Sequence, residues 1–406
     1  MSPTIPVAAG SSALPEEAYA TALASAPGIG PKSLRVLLQD ATPRAAWDEL
    51  AKGRVHLPAS RQGSAAIAYA RKTDVAVLWE AHVREGIGVC VLGQPEYPAV
   101  LADDPQAPAV LFFLGRPTVL DAAPRVAVVG TRSATRYGLG VAAQLGADLA
   151  AAGVVVVSGL ALGIDGAAHE GAVAAWHAAC GESPDEAPSC GVDPRGSGRG
   201  EGRAAPPVAV VAGSVATPYP RQHARLWRRV ANAGAVLSES PIGVADLAWR
   251  FPLRNRIIAA ISDVVVVVEC HVRGGSLHTV QAATARGVTV GAVPGSVRSP
   301  ASAGTNDLIA DGCFVVRDAS DVLVAVGLAS ASTGRKTRKH PTSPGMGIDG
   351  LPSLTADVAS AVGWDPTPLE EIVGRTGLGI DAVCGALERL RARRLVHGEG
   401  GWWERV

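Results

Sequence analysis

A run of five valines, Val264 to Val268, constrains the fold of this chain more than any other segment. The run is too short to cross a membrane and too uniformly apolar for a strand with one face in water. It therefore predicts a strand buried on both faces of a parallel sheet. Polar residues flank it, since an Arg-Asn-Arg triplet precedes it and a Gly-Gly-Ser loop follows it. Polar groups packed around a buried strand indicate a function at that end of the sheet.

Strand-like segments alternate with helical ones from about residue 88 onward. A helical example is 138–152, where Val141, Leu145 and Leu149 fall on one stripe. This alternation predicts βαβ units, and hence a doubly wound, mostly parallel α/β sheet of the extended Rossmann type. The other predicted strands cover 88–92, 110–114, 125–129, 154–157, 208–211, 235–237 and 288–293.

Composition restricts the class of protein. The 406 residues are 48% hydrophobic and 18% charged with no net charge, which describes a globular protein whose binding charge must be local. The six cysteines show neither a CxxC pair nor zinc spacing, so we expect no metal and a reducing, cytoplasmic location. We find no export leader, and the longest apolar stretch is too short and too glycine-rich for a membrane span. No lysine lies between Thr73 and Arg335, which excludes a P-loop or Schiff-base lysine there.

The pattern divides the chain into four parts. Residues 1–82 form a helical domain whose turn at 27–31 is similar to a helix-hairpin-helix, with an ordinary helical hairpin as the alternative. Residues 83–328 form the Rossmann-like domain, with an insertion at 181–205 that is rich in Gly, Pro and Ser. Residues 329–350 are a linker. Residues 351–406 read as a winged helix, a unit that binds either duplex DNA or protein.

The first polar cluster follows the predicted strand 125–129 and contains Gly130, Thr131 and Arg132. The glycine lets the backbone turn, and Arg132 extends from the strand end as a phosphate-binding loop requires. The next helix directs its amino end toward the same point. The loop lacks GxGxxG, and no carboxylate ends the next strand, so neither NAD nor another cofactor is expected. The alternative interpretation is a turn glycine beside an arginine in a surface ion pair.

The second cluster begins with Ser158 and Gly159 at the end of a predicted strand. Gly163 is a loop residue, and Asp165 and His169 follow it at a spacing of four, which puts both on one helix face. That spacing fits a buried hydrogen bond that fixes the helix to the loop, which we favour, or a catalytic dyad. The motif supplies no obvious nucleophile for a dyad, and Ser158 is interpreted as a donor of the loop.

Further clusters supply aromatic rings and positive charge. Tyr219 offers a ring for a base, and Arg221 offers a charge for a phosphate. The segments on either side of the five valines add Phe251, Arg254, Asn255, Arg256, Gly275 and Ser276 as binding residues and Thr279 as a structural one. Because loops at the carboxyl ends of parallel strands meet at one edge, we expect the arginines of these clusters to converge on one crevice. They are Arg132, Arg221, Arg254 and Arg256.

These motifs also carry a family resemblance. The segments VAVVGTRSATRYG, VVSGLALGIDGAAH, ATPYPRQH, FPLRNRIIAAIS and RGGSLHT stand in the order and spacing of the DNA-processing protein A family, DprA or Smf. The resemblance extends from Gly88 to Leu323. It implies a cytosolic homodimer that is not an enzyme, binds and protects incoming single-stranded DNA, works beside the single-strand-binding protein and loads RecA in natural transformation. Two departures are Arg221, where lysine is frequent, and the loop Arg273 to Ser276, often Arg-Ser-Gly-Ser.

Two other functions compete with this one. A nucleotide phosphoribohydrolase on a related scaffold carries Gly-Gly-x-Gly-Thr-x-x-Glu, which Gly274, Gly275 and Thr279 resemble superficially. The glutamate of that signature is missing here, because Val280 to Ala283 follow Thr279. The remaining alternative is a nucleotide-sensing regulator whose winged helix binds duplex DNA.

Overall fold

A computed structural model describes residues 13–55, 61–121, 124–181, 204–244, 248–328, 353–363, 367–393, 395–399 and 401–405. The chain divides into two compact units, Met1–Ser330 and Ala331–Val406. Most of the insertion expected at 181–205, and the whole linker expected at 329–350, lie outside the described residues.

Five helices precede the sheet: α1 (Glu16–Ser25), α2 (Pro31–Leu37), α3 (Pro43–Lys52), α4 (Arg61–Lys72) and α5 (Val75–Arg84). Helices α1 and α2 flank a turn in which Gly28 has a positive φ of 83°. Leu23 of α1 and Leu50 of α3 share one hydrophobic core with Phe112 and Val236 of the sheet. These helices therefore pack on the sheet within the first unit and do not form a separate core.

A nine-stranded sheet forms the centre of the first unit, in the order β1-β2-β6-β5-β4-β3-β7-β8-β9. Its strands are β1 (Gly88–Val91), β2 (Val110–Gly115), β3 (Arg125–Val129), β4 (Val155–Ser158), β5 (Val208–Val210), β6 (Ala235–Ser238), β7 (Val264–Val267), β8 (Thr289–Ala292) and β9 (Phe314–Val315). Strands β3 to β9 pair in parallel, whereas β1 and β2 add an antiparallel edge. The direction of strand addition reverses between β3 and β7, which makes this the topological switch point.

Helices cover both faces of the sheet. They are α6 (Ala99–Ala102), α7 (Arg136–Ala151), α8 (Ile164–Cys180), α9 (Ala224–Ala233), α10 (Arg250–Ala260), α11 (Leu277–Thr284), α12 (Ala303–Ala310) and α13 (Ala319–Ala325). Val264 to Val267 are at most 1% exposed, so β7 is covered on both sides as the valine run predicted. Each such side chain contributes about 1.5–3 kcal/mol by leaving water.

The predicted α/β class and mostly parallel sheet are confirmed. Most predicted strand boundaries differ from the structure by a residue or two. β9 was missed because Phe314–Val315 is too short to show a periodicity. In the described parts of the chain, no helix combines the length and the apolar character needed to cross a membrane.

The second unit has a small hydrophobic core of its own, centred on Ile372, Leu387 and Leu390. It contains α14 (Ser353–Ala361), β10 (Thr367–Pro368), α15 (Leu369–Thr376), α16 (Ile380–Ala392), β11 (Val396–Glu399) and β12 (Trp402–Arg405). The three strands pair antiparallel in the order β10-β12-β11. Along this unit a helix and a short strand precede two further helices, and a two-stranded hairpin follows them.

Candidate nucleic-acid interface

A crevice opens at the carboxyl ends of β3, β4 and β5, beside the switch point. Four residues expected to bind a ligand line it: Arg132, Gly159, Tyr219 and Phe251. Its remaining walls are mostly apolar and include Leu162 and the side chain of Trp227, whose Nε1 donates to Val215 O at 3.1 Å. Loops after successive strands and the first turn of α10 thus meet at one point, as the parallel topology requires.

An arginine and two aromatic rings adjoin one another in this crevice. The guanidinium carbon of Arg132 lies 4.7 Å from the centroid of the Phe251 ring, a cation–π arrangement. The rings of Phe251 and Tyr219 are 5.7 Å apart and tilted by 52°. Arg132 is exposed, and Tyr219 is 46% exposed. The crevice therefore presents one positive charge and an accessible ring side by side.

Arg254 lies beneath this surface and is only 6% exposed. Its guanidinium donates to Gly159 O at 2.9 Å and to Val210 O, and its Nε donates to Asn255 Oδ1 at 3.0 Å. Burial lowers its pKa to about 10, against the opposing effect of the Asp165 carboxylate. The expectation that Arg254 projects into the crevice needs correction, because its donors are directed to carbonyls of β5 and of the loop after β4.

The other two arginines also differ from the expectation of four convergent charges. Arg256 pairs with Glu239 at 2.5 Å, and both side chains are largely buried, at 14% and 12% exposed. Burial raises the pKa of Glu239, and Arg256 opposes that shift. Arg221 is exposed in a short 3-10 turn, Arg221–His223, directly after the cis Tyr219-Pro220 bond, but it does not line the crevice. Only Arg132 and Arg221 leave their charge at the surface.

Asp165 and His169 bond to neighbouring backbone and not to each other. Asp165 Oδ2 accepts from Gly159 N at 3.1 Å, and His169 Nε2 lies 3.1 Å from Val208 O. Burial lowers the pKa of His169 to about 4, so its ring is neutral and donates through Nε2. These buried hydrogen bonds connect α8 to the neighbouring loop and strand, which is the kind of arrangement that we favour over a catalytic dyad. Ser158 is also buried and donates to Val128 O at 2.6 Å, so its hydroxyl is directed to β3 and not to the crevice.

Glu269, directly after the valine run, was missed by sequence reasoning. It is 1% exposed, and its carboxylate accepts from Thr135 N at 2.9 Å and from Thr135 Oγ1 at 2.5 Å. It therefore occupies the amino end of α7, which we had expected to face a phosphate. The available signal was a single acid ending an otherwise wholly apolar strand, because such a group needs donors when buried.

The glycine-rich loop after β7 lies on the far side of Asn255. Asn255 Nδ2 donates to Gly275 O at 3.4 Å, which connects α10 to this loop. Ser276 is buried and donates to Cys270 Sγ at 3.0 Å, and Thr279 is 1% exposed in the first turn of α11. Gly275 is exposed, but neither it nor Ser276 lines the crevice.

Fold and site together define a class: a Rossmann-like protein with an exposed arginine and two adjoining, mutually tilted aromatic rings beside the switch point. Throughout the ranges that the structure describes, no group of three acidic, histidine or cysteine side chains is placed to hold a metal. The sequence matches the profile described as DNA recombination-mediator protein A over residues 88–182 and 190–327. The chain belongs to the DNA recombination-mediator protein A family, which confirms the resemblance. This is a family of mediators and not of enzymes, so the phosphoribohydrolase alternative is set aside.

Individual relatives agree with this assignment. A protein of Mycobacterium tuberculosis, provisionally named DNA processing protein DprA, is 38% identical over 299 residues, covering 73% of this chain and 68% of the relative. The DNA processing protein DprA of Bacillus subtilis is 34% identical over 242 residues, covering 60% and 72% respectively. The X-ray structure of DprA from Streptococcus pneumoniae matches with a TM-score of 0.59 and 28% identity, covering 76% of this chain and 96% of that one.

Proposed function

We propose that this chain binds single-stranded DNA in the crevice and mediates recombination by loading RecA on the bound strand during natural transformation. The observation that carries the proposal is the exposed Arg132 over Phe251, with Tyr219 beside it. A single strand of DNA exposes phosphates and unstacked bases. The positive charge suits a phosphate, and the accessible ring beside it suits a base. Family membership and the DNA-processing relatives support the same conclusion.

The chemistry of the crevice favours binding without sequence preference. Arg132 and Arg221 are the surface charges suited to phosphates, and Tyr219 is suited to stack a base, which every nucleotide possesses. Gly130, Thr131 and Gly159 would let the strand approach the backbone. Arg254, Asn255, Arg256, Gly275 and Ser276 would support the surface from behind it.

The test is a double substitution, Arg132→Ala with Arg221→Ala, measured by fluorescence anisotropy on single strands of several sequences over a range of salt concentrations. We expect weaker binding to every sequence alike. Loss of two phosphate contacts should also reduce the slope of log affinity against log salt by about 1.4, since each contact on a single strand contributes about 0.7. Arg84→Ala is the matched control, because this exposed arginine ends α5 just before β1, at the opposite edge of the sheet. Unchanged affinity in the double variant would refute the site assignment.

The loading step is tested separately. We expect the full chain, acting as a homodimer, to shorten the lag of RecA filament nucleation on single strands precoated with single-strand-binding protein. The Arg132/Arg221 double variant should not shorten it. A lag that the wild-type chain leaves unchanged would remove RecA loading and retain DNA binding alone.

We also propose that residues 351–406 act as a winged-helix module separate from the crevice, joined by a linker at 329–350 to the Rossmann-like domain at 83–328. Its own hydrophobic core supports this division. A chain that ends at residue 328 should keep its affinity for single strands, and loss of that affinity would contradict the division.

A further inference from the structure

Three helices begin at the carboxyl edge of the sheet near the switch point, and an acceptor side chain of the protein bonds a donor at or beside each of them. Glu269 accepts from Thr135, the cap of α7, Asp165 accepts from Gly159 N in the loop before α8, and Cys270 Sγ accepts from Ser276 Oγ directly before α11. Such helix ends are where folds of this type bind phosphate groups, because their backbone amides lack internal acceptors. In this protein, an acceptor side chain of the chain itself already lies at or beside each of these helix starts.

Glu269 is the most complete case. Its carboxylate accepts the backbone amide and the hydroxyl of Thr135, the residue that caps α7. It packs so closely on Gly138 that a Cβ there would overlap its oxygens. Glu269 O also accepts from Thr131 N at 2.8 Å, so this residue bridges the loops after β3 and β7. The carboxylate thus fills the switch point itself, and the open crevice is displaced toward β4 and β5.

The charge of Glu269 is not cancelled locally. In the portions of the chain that the structure covers, no arginine or lysine forms an ion pair with it. The nearby Tyr137 has a raised pKa, chiefly through burial and also through the negative charge of Glu269. A phosphate placed at this helix end would therefore meet both a filled volume and a fixed negative charge.

The other two helix ends repeat the arrangement with different atoms. Asp165 accepts from the amide of Gly159 and lies near the buried Arg254. Cys270 Sγ accepts from Ser276 Oγ. The donors Thr135 N, Gly159 N and Ser276 Oγ are consequently engaged within the protein, which leaves the side chain of Arg132 as the charged donor of the crevice.

We propose that Glu269 determines specificity by excluding phosphate monoesters, that is, free nucleotides and terminal phosphates of DNA, from the amino end of α7 beside the crevice. A monoester carries about 1.5–2 negative charges at neutral pH and needs several donors, whereas each internal diester of a strand carries about one. Arg132 alone can serve a diester. The inference deepens the proposed function, on which it rests: the ligand is the interior of a strand, and mononucleotides do not compete for its place.

The experiment measures binding of dAMP and of inorganic phosphate to the full chain by calorimetry at constant ionic strength. Glu269→Gln removes the charge and keeps the shape, while Glu269→Ala also opens the volume. The matched control is Glu170→Gln, since Glu170 is an exposed carboxylate that pairs with Arg229 on α9. We expect dAMP affinity to rise in the order wild type, Glu269→Gln, Glu269→Ala, by about tenfold or more in the last, because both variants lose a repulsive charge at close range and only the alanine variant also opens the volume.

A folded Glu269→Ala chain with no gain in dAMP affinity over Glu170→Gln would overturn the inference, and so would wild-type protein that binds dAMP as tightly as the variant. If Glu269→Ala does not fold, Glu269→Gln decides by the same comparison. The outcome of these dAMP measurements does not depend on whether the chain binds single-stranded DNA. A gain in dAMP affinity together with no binding of single strands by the wild type would sustain the role of Glu269 and refute the proposed function alone.

Discussion

Replacing Arg254 by methionine should destabilise the fold far more than it weakens any direct DNA contact. Methionine fills much of the volume but removes the donors that serve Gly159 O and Val210 O. It also leaves Asp165 as a buried carboxylate without its neighbouring cation. Two buried acceptors left without a donor cost about 1–3 kcal/mol each, and the loss of the cation near a buried carboxyl adds to this, so we expect about 3–5 kcal/mol in all. That is a large part of a typical unfolding free energy of about 5–15 kcal/mol.

The measurement is urea unfolding at neutral pH, followed by circular dichroism, together with affinity for single-stranded DNA under conditions where the variant is folded. Arg317→Ala is the control for loss of an exposed arginine from an ion pair, because Arg317 is 72% exposed and, from just before α13, pairs with Asp321 in the first turn of that helix. We expect that control to cost no more than about 0.5 kcal/mol. The double variant Arg254→Met/Asp165→Asn should lose less unfolding free energy than the two single variants lose together, by about 1–3 kcal/mol.

The opposite result would refute this reasoning. If Arg254→Met lowered the unfolding free energy by less than about 1 kcal/mol and reduced DNA affinity more than Arg132→Ala does, Arg254 would be a direct DNA contact. A direct DNA contact is the role that the sequence pattern predicts for Arg254.

Two further predictions concern the loops behind the crevice. His169 is neutral in the fold, with a pKa of about 4 against 6.5 when exposed. Its contribution to the free energy of unfolding is therefore complete above about pH 6.5 and falls by about 3 kcal/mol toward pH 4. Urea unfolding over a pH series should show a shallower fall in His169→Gln, and identical slopes would contradict the assignment. Gly163→Ala should cost about 1–3 kcal/mol, because Gly163 has φ of 78° and a Cβ would overlap Thr131 O. Gly140→Ala, where a Cβ meets no atom within 4 Å, should instead raise the thermal midpoint slightly, and equal effects would refute the argument.

Much of the fold was accessible from local patterns. The valine run predicted a strand covered on both faces, and β7 is such a strand. The alternation of strands and helices predicted parallel βαβ units, because only that topology lets uniformly apolar strands alternate with amphipathic helices. Arg132, Tyr219 and Phe251 line the same crevice. This agrees with the rule that loops at the carboxyl ends of parallel strands share one edge of the sheet.

The roles of individual charges were not accessible in the same way. Arg254 and Arg256 lie in one helical turn with Phe251, and nothing in their spacing distinguishes a ligand-facing arginine from one that serves a carbonyl or a carboxylate. Their partners, Gly159 and Glu239, lie far away in sequence. Glu269 shows the same limitation, since its partner Thr135 belongs to a loop brought near only when β7 pairs with β3.

The sequence alone determined the class of fold, the order of its strands along the chain, the edge at which a site forms and the family. Those properties depend on local periodicity and on motifs, which are written in adjacent residues. The tertiary structure decided the lateral order of the strands, which arginines keep their charge at the surface, and which helix ends are closed. A buried charge must find a partner, and that partner is chosen by long-range packing.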